Sequence, residues 1–203
     1  MASAAELAAL FKITAVCLYA DLADSTDLVD SYTAKFAAKL YKSYLHCASK
    51  LIRRRKGVIT SFDGDRVMGV FYGDSMHTDA ANCALNINHA VVKIINPAIT
   101  KKYPNTKYTL RHGVGLDVSD LFVARSGIRG SNDLVWIGRS ANYAAKLSAI
   151  RQGTYASWMT EDVFSGLEES AKKSSNDSDM WDQMTWTDMD GGTIYGSSWW
   201  RRP

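Results

Sequence analysis

The chain has 203 residues, 46% hydrophobic and 22% charged, with 24 Lys and Arg against 21 Asp and Glu for a formal charge of +3. That length suits one domain with its own core, and the balance excludes a disordered chain, a collagen-like repeat and a strongly charged nucleic-acid coat. Cys17, Cys47 and Cys83 have neither C-x-x-C nor metal-knuckle spacing, a pattern expected of free thiols in a reducing, cytoplasmic compartment.

Residues 13–20 form a short β-branched apolar run ending at Asp21, which predicts a buried strand. Asp24, Ser25 and Thr26 supply helix-start chemistry for one amphipathic helix reaching to about residue 55. Its basic last turn, 53–56, and Gly57 read as a helix stop rather than a lipid or nucleic-acid patch. Residues 58–62 and 66–72 flank Asp63-Gly64-Asp65, a hairpin signal. A second helix is predicted over 74–95, closed by Asn96-Pro97. A strand over 108–118 is expected to pair with 121–125, followed by a glycine-containing loop at 127–133 and a short strand at 134–137. Helices are predicted over 140–151 and 161–171, with a strand between them over 153–159. The Trp- and Asp-rich tail reads as a loop followed by a terminal strand pair.

The order β-α-β-β-α-β predicts an α+β fold with a ferredoxin-like split βαβ core. A single domain, 1–203, is expected, with a core over about 13–160 and a C-terminal strand and helix extension over 161–203. The start of the chain lacks signal-peptide character, and no run approaches the ~20 apolar residues of a membrane span. Neither a membrane nor a nucleic-acid partner is therefore expected.

Asp21 ends the first strand and Asp65 sits at the following hairpin turn, so a βαββ crossover sets two carboxylates side by side. Such a pair suits hard divalent cations, magnesium or manganese. Either aspartate alone is equally a turn or cap former. The backbone of Ala23, Asp24, Ser25 and Thr26 leads into a helix start, chemistry suited to phosphate. His46, His77, His89 and His112 show no ligand spacing, and Ser25 lacks a nucleophile-elbow context.

Four segments, VCLYADLADSTDL, GVITSFDGDRVMGVF, LRHGVGLDVSDLFVARSGIRG and VWIGRSANYAAKLSAI, together resemble the class III nucleotidyl cyclases from about residue 13 to 151. The resemblance implies that Asp21 and Asp65 bind two divalent metals, with help from the Leu22 carbonyl. It implies that Asn142 orients the ribose and that Lys146 stands where the family has Arg, both reaching the site of a partner in a homodimer. Arg139 replaces a frequent Asp and is either a substitute phosphate cation or a surface residue. The family's base-reading positions hold Ser61 and Val135. Val135 cannot accept an adenine amine, and Ser61 is too short to replace the long cation of adenylate cyclases. That departure is similar to the pyrimidine cyclases of bacterial Pycsar anti-phage systems. It implies UTP or CTP as substrate, UTP favoured, and a cyclic product that acts on a separate effector. An adenylate or guanylate cyclase, a degenerate nucleotide-binding domain and a diguanylate-cyclase relative are the alternatives. The last would carry paired acids where Asp65-Arg66 stands.

Overall fold

The computed structural model describes residues 11–128, 131–187, 189 and 191–203. Strand β1 (Phe11–Leu22) is central, paired antiparallel with β3 (Arg66–Phe71) on one side and β4 (His112–Ile128) on the other. The sheet runs β2-β3-β1-β4-β6-β8-β7, where β2 is Val58–Asp63, β6 Ser157–Thr160, β7 Asp182–Trp186 and β8 Gly192–Ser197. Strand β5 (Ser131–Ile137) pairs with the distal half of β4. The mixed α+β fold with a split βαβ core is as expected, and the terminal strand pair adds to the same sheet edge.

The period-2 alternation of β1 sorts its side chains onto two faces. Val16, Leu18, Ala20 and Leu22 join the main core with α2 (Ala34–Arg54) and α3 (Met76–His89). Ala15 and Cys17 lie on the other face with Met68, Val70, Leu121 and Ala144 of α5 (Arg139–Ser148). Helix α2 buries Phe36, Leu40, Tyr44, Ala48 and Leu51 at three- and four-residue spacing.

Several boundaries differ from the sequence expectation. The first helix is two: α1 (Ser25–Ser31) ends where Tyr32 turns extended, and the Thr33 side chain accepts from the Phe36 amide to start α2. Tyr32 stacks on Phe36 at 5.1 Å, which holds the break. Asn96-Pro97 does not stop the second helix. A wider π-helical turn, Ala90–Ile95, carries the chain into α4 (Asn96–Lys102), with the proline in the first turn of α4. Residues 112–128 are one strand, not a hairpin, and the true hairpin partner is β5. Ser119 and Asp120, polar enough to suggest a turn, are satisfied across the sheet: Asp120 accepts from Thr14 at 2.6 Å and meets Lys12 at 2.7 Å. The helix predicted over 161–171 breaks into α6 (Glu161–Ser165) and α7 (Glu169–Lys172) at Gly166, where a Cβ would collide with the His77 ring.

The C-terminal segment is tied to α3 by polar side chains along that helix. Asn86 donates to the Arg201 carbonyl at 2.8 Å, Asn88 to the Trp199 carbonyl at 2.9 Å, and Arg201 to Asn82 at 2.6 Å. All three cysteines are free. Among the described residues, no helix is long and apolar enough to cross a membrane.

Candidate active site

Asp21 lies on the α5 face of β1, two residues after Tyr19 and four after Cys17. Its Cα partners are Arg66 in β3 and Gly113 in β4. The β2–β3 turn therefore delivers Asp65 next to Asp21, with Gly64 at φ +58, a left-handed value that favours glycine. The backbone thus brings together the two carboxylates that were singled out by position.

Asp21 is 6% exposed, and burial pushes its carboxyl above the usual carboxylate range, with the Asp65 charge adding to the rise. Two guanidiniums oppose that shift. Arg66 Nε lies 3.2 Å from Oδ1, and Arg151 Nη2 lies 2.9 Å from Oδ2. Beneath the strand, Tyr44 donates to the Asp21 carbonyl at 3.3 Å, and the buried His112 ring stacks obliquely on Tyr44. Burial and the Arg151 charge lower His112 to about 3, so it is neutral and adds no cation. Burial likewise pushes the Cys17 thiol up to about 12, which makes it inert near neutral pH.

The donor set is oxygen only: two carboxylates from a strand end and an adjacent turn, with the Leu22 carbonyl beside them. Each Asp21 oxygen already faces a positive group. Hard divalent cations suit that chemistry. Among the described residues no group of three or more His, Cys, Asp or Glu is assembled, so two carboxylates are what the chain offers.

The remaining predicted residues fall into two places. Ser61 lies on β2 opposite Met68, the β3 residue that also pairs with Tyr19, near Asp21. Val135 is on β5 opposite Ala124, beyond the far end of β1. From Phe11 to Tyr19 the strand alone covers about 26 Å at roughly 3.3 Å per residue. One chain therefore does not bring Ser61 and Val135 together. Asn142 and Lys146 are exposed on the outer side of α5, whose inner side carries Ala144, Leu147 and Ser148. Lys146 Nζ lies 3.1 Å from Met189 Sδ, at a cavity of about 290 Å³ shared with Trp186 and Ile150. Helix α5 packs so closely on β4 that a Cβ at Gly115 would sit 2.0 Å from the Ala144 carbonyl.

The structure gives Arg139 a task other than the two weighed from the sequence. Its guanidinium meets Asp117 at 3.1 Å, Asp162 at 2.6 Å and the Val118 carbonyl at 3.0 Å, clamping the start of α5 to β4 and α6. Asp117 is fully buried, also accepts from Thr160 at 2.6 Å, and burial holds its carboxyl above the ordinary range. A raised folded-state value means its contribution to stability is fully present below the unfolded value, about pH 4, and is lost as pH rises through the folded one. Arg139→Met removes a group that lowers that value. The variant is expected to melt close to wild type near pH 4 and progressively lower toward pH 7, by about 2–3 kcal/mol at neutrality. Thermal unfolding across that range checks it; a deficit independent of pH would refute the clamp.

Ala23 does not keep a free amide for phosphate, because its N–H donates to the Arg111 carbonyl at 2.9 Å. Asp24 adopts φ 55, and its carboxylate lies 3.9 Å from Arg111, while Ser25 and Thr26 open α1. Tyr19, Arg66 and Arg151 are the site residues that sequence reasoning missed. Tyr19 could have been found from strand alternation and Arg66 from its place after Asp65. Arg151 is distant in sequence and had no signal.

Comparison with known proteins bears on the family and the fold. No family model matches the chain. It is 52% identical over 185 residues to a uridylate cyclase of Burkholderia cepacia, covering 91% of this chain and 79% of that protein. It is 47% identical over 190 residues to a uridylate cyclase of Xanthomonas perforans, covering 93% and 81%. Among solved structures, the guanylyl cyclase Cya2 superposes with a TM-score of 0.77 over 95% of each chain at 15% identity, a likeness of fold alone.

Proposed function

Because the chain belongs to the class III nucleotidyl cyclases, enzymes that form cyclic nucleotides, we propose that it converts UTP to 3′,5′-cyclic UMP and pyrophosphate. The observation that carries this reading is the meeting of Asp21 and Asp65 at the β1 end and the β2–β3 turn. The choice of UTP over CTP draws on the relatives named uridylate cyclase.

Asp21, Asp65 and the Leu22 carbonyl are the groups that would hold two divalent cations, Mg²⁺ or Mn²⁺. When bound there, such cations supply Lewis-acid activation of the ribose 3′-hydroxyl and neutralise the triphosphate. The start of α1, at Ser25 and Thr26, meets the leaving pyrophosphate. Asn142 orients the ribose, and Lys146 places a point charge near the reacting phosphoryl group. A thioether is a weak acceptor, so contact with Met189 leaves that ammonium's donors for an anion. Arg139 acts as a positioning residue for the helix that carries both.

Asn142 faces away from β1 on α5, and the level of Asp21 on β4, Gly113, is reached only at Ser148. That separation supports a site shared between two chains, in which a partner in a homodimer supplies Asn142 and Lys146. Ser61 and Tyr19 border the base on one side, and Val135 reaches it from the partner. The hydroxyl pair can donate or accept, which suits a pyrimidine edge without requiring a purine reader. By resemblance, the product signals to a separate effector in anti-phage defence.

Incubation of the purified dimer with each ribonucleoside triphosphate and manganese, followed by product separation, tests the reading. Cyclic UMP is expected to form at least about tenfold faster than any other cyclic product, the discrimination that about 1.4 kcal/mol of differential binding supplies. A preference for CTP, or a purine product of comparable rate, overturns the substrate assignment. The absence of any product supports the degenerate nucleotide-binding alternative.

A further inference from the structure

Arg151 connects two parts of the chain that the proposed reaction uses in different sites. It follows α5, whose Asn142 and Lys146 face a partner's nucleotide, yet its guanidinium reaches Asp21 of its own chain at 2.9 Å. Its Nη1 at the same time donates to the Ser148 and Ile150 carbonyls at the end of α5. Those two bonds anchor the group from behind, and the side chain is 26% exposed. Gly113 makes the approach feasible: a Cβ there would sit 2.6 Å from Nη1 and 2.1 Å from the Ser148 carbonyl. Arg66, on the opposite oxygen of Asp21, is more exposed, at 42%.

A positive group fixed in that place acts oppositely on two ligands. It repels a lone divalent cation approaching Asp21 and attracts the polyanionic tail of a nucleoside triphosphate. We propose that Arg151 makes cation binding at Asp21 conditional on the nucleotide, by opposing the free cation and holding the triphosphate that brings it. The inference rests on the assignment of Asp21 as a metal ligand made above. It treats Arg151 as a substrate-binding residue supplied by the same chain as Asp21, complementary to the Lys146 of the partner.

Manganese binding to the dimer is measured by the electron paramagnetic resonance signal of free Mn²⁺, with and without 3′-deoxy-UTP, which lacks the attacking hydroxyl. Without nucleotide, Arg151→Gln is expected to bind Mn²⁺ about tenfold more tightly than wild type, and its KM for UTP to rise about tenfold. Arg151→Lys keeps the charge and is expected to bind Mn²⁺ as weakly as wild type. Unchanged nucleotide-free affinity in Arg151→Gln overturns the proposal. If Arg151→Gln fails to fold, tightened binding in Arg151→Lys overturns it in the same way. Asp21→Asn separates the two levels of inference. If it abolishes Mn²⁺ binding with 3′-deoxy-UTP present, the metal assignment stands and only the role of Arg151 is under test. If it leaves that binding intact, the metal assignment fails and the proposal falls with it.

Discussion

Asp21→Asn and Asp65→Asn are each expected to slow cyclic nucleotide formation by about a thousandfold while the chain stays folded. Asparagine keeps the size of the side chain but removes the charge that would hold a divalent cation, and losing one such preorganised group costs two to three orders of magnitude. Stability should move little, for separate reasons at the two sites. At Asp21, burial disfavours the ionised carboxylate in the folded chain, so a neutral amide removes that cost. Arg151 loses its contact with Oδ2 but keeps the Ser148 and Ile150 carbonyls. Asp65 is half-buried in a turn whose geometry depends on Gly64 rather than on its own side chain. Melting temperatures equivalent to within about 1 kcal/mol of wild type are therefore expected. Rate, circular dichroism and thermal unfolding on the same preparations check this. Turnover within tenfold of wild type in either variant would remove the paired-carboxylate assignment.

The parts of this site legible from sequence were those encoded by local pattern. A short β-branched run ending in Asp21, and a Gly between Asp63 and Asp65, fix strand ends without tertiary information. The βαββ order then places them side by side. What was not legible depended on contacts across the sheet. Ser119 and Asp120 carry turn chemistry but lie in mid-strand because Lys12 and Thr14 satisfy Asp120 from β1. Arg139 looked like a phosphate cation or a surface group, and only the fold reveals Asp117 and Asp162 around it. Thr33, as a cap splitting the first helix, was masked by apolar periodicity that continues on both sides of it. Arg151 is the extreme case. Nothing near it in the chain suggests a partner 130 positions away.

Mixing two inactive variants is expected to restore activity, and the size of the recovery follows from symmetry. In the proposed site, Asp65→Ala damages the metal half and Asn142→Ala the ribose half. If each site takes its carboxylates from one chain and its Asn142 from the other, each homodimer of one variant has two damaged sites. In a mixed dimer both lesions fall in one site, and the second site is intact. Random exchange of equal amounts makes half the dimers mixed, with one working site of two, so about a quarter of wild-type activity should return. The proposal of a shared site rests on α5 turning Asn142 away from the β1 strand of its own chain, and on β5 carrying Val135 past the far end of β1. A site confined to one chain predicts no recovery at any mixing ratio. Co-expression of two differently tagged variants, tandem purification of the mixed dimer and a single rate measurement decide between the two. The doubly tagged species should show about half the wild-type rate per dimer, because the random-mixing dilution is gone. Failure of that species to exceed either parent would place Asn142 outside the shared site. The assignment of Asp65 would survive that result, since it is tested by its own variant.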